Sequence, residues 1–149
     1  MNSEERNTWV GLFSSLAVNA WFYHRIWAMF ADGTSTAPDA MQIWARTVIW
    51  VVPVAIVSTI GLTVLVSIAY SVISGEKTVI FLKDERDSQF ELWGLGATMF
   101  LAVAGFLAAM VALALGYSGF IAFNLIYLGF SLGDIAGSLV KLGLYRCGT

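Results

Sequence analysis

Four long runs of apolar residues, parted by short polar stretches, organise this chain. They cover about residues 9–30, 43–73, 92–115 and 119–144. Each meets the roughly 20 residues that a helix needs to cross a hydrocarbon core. The alternation of a transmembrane β-strand is absent from them. Backbone amides in lipid must be satisfied within their own element, so helices are the economical reading. The pattern predicts an all-α fold, a four-helix transmembrane bundle forming one integral membrane domain over residues 1–149. The tight join Gly116-Tyr117-Ser118-Gly119 should fold the last two helices into an antiparallel hairpin. Pro53 lies inside the second helix, where it removes the hydrogen bond to Ile49 and should kink the helix.

Composition agrees with this picture. Hydrophobic residues make up 58% of the chain and charged residues 12%, against about a quarter charged in soluble domains. Eight scattered cations and a net charge of -2 build no basic face, so no nucleic-acid partner is expected. Cys147 is the lone cysteine, which leaves no disulfide framework or thiolate cluster. With four crossings, Arg6, Lys77, Lys83, Arg86, Lys141 and Arg146 share one side, and only Arg25 and Arg46 lie on the other. The positive-inside rule then predicts a multi-pass protein of the inner (plasma) membrane with cytoplasmic N- and C-termini. Trp9 and Trp93 should sit at the inner interface, and Trp27, Trp44 and Tyr117 near the outer one. The acidic start, Met1 to Arg6, does not suit a cleavable signal peptide.

Helix starts are marked by Asn2 with Glu5 and by Ser88 with Glu91, the spacing of a reciprocal cap. Glu4-Glu5-Arg6-Asn7 also echoes Asp84-Glu85-Arg86-Asp87, which suggests two tandem two-helix repeats. Chance likeness between two acidic caps is the simpler alternative. The cytoplasmic loop, about residues 75–91, joins an apolar stretch, Thr78 to Leu82, to the charged run Lys83, Asp84, Glu85, Arg86 and Asp87. That run is a candidate cytoplasmic contact, able to dock a regulator, or simply a solvated face.

Lys83-Asp84-Glu85-Arg86-Asp87, an apolar helix and a closing Leu144-Tyr145-Arg146 together resemble a known pattern. It belongs to uncharacterised small bacterial and archaeal integral membrane proteins with an Asp-Glu-Arg motif before the penultimate helix. The resemblance covers roughly the C-terminal half. It implies a four-helix protein, often encoded beside a small helix-turn-helix regulator, and it brings no catalytic residues.

Candidate chemistry is sparse. Gly129, Gly133 and Gly137 form a small-residue stripe on the fourth helix, which lets another backbone approach closely. Ala104, Ala108 and Ala112 are the matching series expected on the third. Asp134 stands alone as an acid within a membrane helix, at a cost of about 2.5–3.5 kcal/mol on insertion scales, so it should be paired, protonated or wet. Ser131 and Ser138 lie near it. Lys141 is about 10 Å further along, too far for easy direct pairing. Asn124 and the hydroxyl stripe Thr59, Thr63 and Ser67 could join Asp134 along a polar path, although such hydroxyls often bond back to their own helix. His24 is the one histidine, grouped with Asn19, Tyr23 and Arg25. It is a candidate cofactor contact or an ordinary interfacial residue, and no cofactor is expected.

These features point first to a non-enzymatic accessory subunit that packs in the bilayer with other membrane proteins or with itself. The alternatives are a small ion or solute transporter using Asp134, and a membrane sensor tethering a cytoplasmic regulator.

Overall fold

The computed structural model describes residues 3–74 and 85–147. Helix α1 spans Ser3–Ala31, α2 Ala40–Ser74, α3 Glu85–Ala114 and α4 Gly119–Cys147. A single 3₁₀ turn, Thr34–Thr36, links α1 to α2, and no strand occurs among the described residues. Within that link Thr34 holds the Asp32 carboxyl below the usual carboxylate range, through its hydroxyl and through its amide at 3.0 Å. The helices outrun their apolar cores. At 35 residues, α2 is about 52 Å long, against a hydrocarbon layer of about 30 Å.

The largest change of boundary is at α3. It begins at Glu85, so Ser88 sits inside the helix instead of capping it. Glu85 and Asp87 occupy the first turn, where the helix dipole favours acids. The expected loop is correspondingly shorter. Lys83 and Asp84, the apolar stretch Thr78 to Leu82 and the cap residue Asn2 lie outside the described residues. Pro53 is accommodated within α2, which stays helical on both sides of it.

Three helices, α2, α3 and α4, are long and apolar enough to cross a membrane. The all-α, four-helix architecture is as expected, while helix α1 falls short of that measure. The reason is its content of Asn7, Thr8, Ser14, Ser15, Asn19, His24 and Arg25. Much of that polarity faces α4 instead of the surroundings.

Antiparallel neighbours pack in the order α2, α1, α4, α3, with α4 against both α1 and α3. The α3–α4 seam is the tightest. A Cβ on Gly105 would lie 2.6 Å from the Gly129 Cα, and one on Gly133 would lie 2.7 Å from the Thr98 carbonyl oxygen. Gly137 backs onto the Gly94 carbonyl in the same way. Thr98 donates its hydroxyl to the carbonyls of Gly133 at 3.0 Å and Gly94 at 3.1 Å. The glycine stripe therefore packs within the chain. Its partner surface is Gly94, Thr98, Ala102, Gly105, Ala109 and Ala112; Ala104 and Ala108, expected in that role, are exposed. At the hairpin turn Gly116 adopts φ 84°, with Tyr117 N–H bonded to the Ala112 carbonyl and Gly116 N–H to that of Leu113. This is a glycine-terminated Schellman ending.

The two ends of the bundle differ. Near the α1–α2 link, the loop end, Val18, Phe22, Ile26, Met29, Ala40, Trp44, Val51 and Phe120 form one buried cluster. Phe22 is fully buried, its ring tilted over Tyr127 with centroids 3.8 Å apart. Trp44 is buried too, and its indole N–H donates to Asn124 Oδ1 at 3.2 Å. Trp27, Trp93 and Tyr117 are exposed, as residues of an aromatic belt would be. Emptying the Phe22 site should cost about 3–5 kcal/mol. Phe22→Ala is accordingly expected to unfold at markedly lower temperature in detergent; an unshifted transition would show that the loop end is not the packed half.

At the opposite end the helix ends are tied by aromatic contacts. The Arg6 guanidinium lies 4.8 Å above the Tyr70 ring, and that of Arg146 5.8 Å from Trp9. Tyr145 stacks edge-on against Phe90 and donates its hydroxyl to Asp87 Oδ1 at 3.1 Å. Asp87 is thus buried, at 5% exposure, and does not belong to a solvated docking face; Glu85 and Arg86 are exposed.

Candidate polar cleft

Polar residues on α1 recur as Glu4, Thr8, Ser15 and Asn19, with Gly11 in step between them, so they share one face of the helix. On α4 the residues Tyr127, Ser131, Asp134, Ser138 and Lys141 recur in the same way. These two faces border a common cleft. Helix α2 meets α4 at Trp44 and stands apart further along, where Val51, Ala55 and Thr59 form the third wall. The resulting space is about 520 Å³ and runs from Glu4 at the open end to Asn19 and Tyr127 at its floor. The cluster around Phe22 seals the bundle beyond that floor.

A directed chain of hydrogen bonds lines one wall. The Tyr127 hydroxyl donates to Asn19 Oδ1 at 3.1 Å. The Asn19 amide donates to Ser15 Oγ at 3.2 Å and to the Ser15 carbonyl at 2.9 Å. Ser15 in turn donates to Asp134 Oδ2 at 2.5 Å. Every donor points toward the carboxylate, an arrangement in which each bond polarises the next. Across the cleft Ser14 and Thr59 hydroxyls pair at 3.0 Å, pinning α1 to α2.

Asp134 is exposed in this cleft, and no ion pair to it occurs among the described residues. Lys141 is not its partner. The Lys141 stem lies along Gly94 of α3, where an added Cβ would come within 2.7 Å of its Cε. From there Lys141 borders the cleft and also a smaller recess shared with Glu4, Asp87 and Glu91. Asp134, Ser138 and Lys141 also edge a second hollow on the α3 side of α4, beside Ser88 and Glu91. The polar edge of α4 is therefore open on two sides.

The residues anticipated around Asp134 divide. Ser131, Ser138 and Thr59 line the cleft with it. Asn124 does not; it accepts from Trp44 and donates to the Phe120 carbonyl at 2.8 Å, a packing role at the sealed end. Thr63 bonds back to the Thr59 carbonyl at 2.8 Å, and neither Thr63 nor Ser67 borders the cleft. The expected group around His24 separates as well. Asn19 and Tyr23 turn inward against Tyr127, whereas His24 and Arg25 are exposed on the other side of α1.

No known protein family, curated protein or solved structure matches the chain.

The sequence reading missed Ser14, Ser15, Thr8 and Asn7 on the α1 wall. Their signal was a polar face of helical period in the least apolar of the four helices. Among the described residues no three His, Cys, Asp or Glu side chains converge as metal ligands. The cleft offers two carboxylates, Asp134 along its wall and Glu4 at its open end, with many hydroxyls and amides, and apolar flanks from Val18, Val51, Ala55 and Phe130. Such a lining can solvate and hold a small polar guest.

Proposed function

We propose that the chain is a membrane protein that takes a small polar solute or ion into this cleft, with Asp134 as its binding group, and passes it across the bilayer. The observation that carries the reading is Asp134 itself. An acid in a membrane helix is retained at a cost, and here it faces a polar space that the Phe22 cluster closes at the loop end and that opens toward Glu4. A one-ended cleft of this kind is what a carrier presents between openings to its two sides. By the positive-inside rule the open end faces the cytoplasm of a plasma membrane, since six of the eight cations fall on that side of the sequence.

Cysteine accessibility tests the cleft directly. In a Cys147→Ser background reconstituted into vesicles, Ser138→Cys and Gly11→Cys are expected to react quickly with a membrane-impermeant maleimide. Met29→Cys, in the sealed half, should stay unreacted. Equal protection at all three positions would mean that the cleft is filled by lipid or protein, and the reading would fall.

The accessory-subunit reading takes second place. It drew on the small-residue stripes and the aromatic-rich first helix, and of these Gly129, Gly133 and Gly137 pack against α3 within the chain. What supports it now is the exposed small-residue pair Ala104 and Ala108 on the outer face of α3, where a partner helix could approach closely. A sensor holding a regulator at the charged run would keep Glu85 and Arg86 as its contacts.

A further inference from the structure

We propose that the guest of the cleft is a small organic monocation, an alkylammonium, held by Asp134 with the rings of Phe130 and Tyr127 against its apolar groups. The inference rests on the carrier reading above and names its substrate class. Charge comes first. Among the described residues the only cation bordering the cleft is Lys141, and its stem is laid along Gly94, two helical turns from Asp134. The carboxylate has one oxygen engaged by Ser15 and no cationic partner among the described residues. Its electrostatic demand is for a positive charge supplied from outside.

Size and lining then separate organic from inorganic cations. Hard metal ions are gripped by six or more oxygens at short range, whereas this space of about 520 Å³ far exceeds a bare ion and its two carboxylates stand apart, Asp134 beside Ser15 and Glu4 about 16 Å further along α1. Val18, Val51 and Ala55 supply apolar wall where a metal site would need oxygen. Phe130 lies one turn from Asp134 on α4 and Tyr127 two turns away, both bordering the cleft. Aromatic faces attract ammonium groups, quaternary ones above all. Carboxylate, aromatic rings and aliphatic wall together match a charged head that carries its own methyl or methylene groups.

The test uses the full chain in mild detergent, titrated calorimetrically with tetraethylammonium and, separately, with a neutral alcohol of similar size. Saturable binding of tetraethylammonium alone is expected. Asp134→Asn should weaken it at least tenfold, and Phe130→Leu by about two- to fivefold, the range of a partly exposed cation–ring contact. Both variants should keep the parent's thermal transition, which separates loss of binding from loss of fold. Equal binding of the alcohol, or an unchanged affinity in Asp134→Asn, would overturn the proposal. So would displacement of tetraethylammonium by equimolar sodium or potassium. Failure here alongside rapid labelling of Ser138→Cys would remove the ammonium and leave the open cleft standing; failure of both would remove the carrier reading too.

Discussion

Asp134→Asn is expected to reduce solute flux in reconstituted vesicles to the level of protein-free controls, while leaving the protein as stable as the parent or more so. The two halves of this expectation have separate causes. Asparagine keeps a side-chain oxygen where Ser15 now donates to Oδ2, so the wall from Tyr127 through Asn19 and Ser15 stays assembled. It also removes an acid whose insertion costs about 2.5–3.5 kcal/mol at a helix centre. What it cannot replace is the negative charge that a cationic guest would balance. A residue kept against stability should be the one that activity needs. Parental flux in the variant would dismiss Asp134 as the binding group, and a lower melting temperature would recast it as a structural residue.

Gly129→Leu should have the largest effect on stability. Even the first carbon of the new side chain would fall 2.7 Å from the Gly105 Cα and 2.8 Å from the Leu101 carbonyl. These are backbone atoms and cannot swing aside, so α3 must move off α4 along the whole seam. Overpacking of cores commonly costs about 1–3 kcal/mol, and the contact here should lie at or above the top of that range. Loss of the Thr98 bond to the Gly133 carbonyl would add to it. Gly96→Ala is the control. Gly96 is exposed on the same helix with nothing within 4 Å of an added Cβ, so its replacement should be neutral or gain up to about 1 kcal/mol of helix propensity. Thermal unfolding in detergent distinguishes the pair; similar melting temperatures would mean that the glycine seam does not hold the hairpin.

The helices themselves were legible because long apolar runs have few other solutions in lipid. Their mutual register was harder to read. Counting by fours from Ala104 drifts about 40° per step around a helix of 3.6 residues per turn. The surface actually used, Gly94, Thr98, Ala102, Gly105, Ala109 and Ala112, mixes steps of three and four and so stays on one side. Asp134 was conspicuous as a charge that topology did not require. Its companions on α1 were not, because a serine or asparagine in an apolar run gives no sign of which way it faces. Only the packing of α1 against α4 separates Ser15 and Asn19, which bond across the cleft, from His24, which points away. Asn124 and Thr63 show the converse. Both are polar groups in membrane helices, and both are consumed by local hydrogen bonds that sequence spacing does not distinguish from a path.

The polar face of α1 also bears on how the chain is assembled. In synthesis α1 precedes α4; it carries Ser14, Ser15 and Asn19, of which Ser14 pairs with Thr59 of α2, while Ser15 and Asn19 find their cross-helix partners, Asp134 and Tyr127, on α4. Until α4 is made, α1 is poorly suited to lipid. The hairpin of α3 and α4 is closed by glycine within, but its own polar edge at Asp134 likewise finds a partner only on α1. Helix α1 thus gains part of its polar partnership only from a helix made well after it, and the cleft is complete only when α4 has packed against α1.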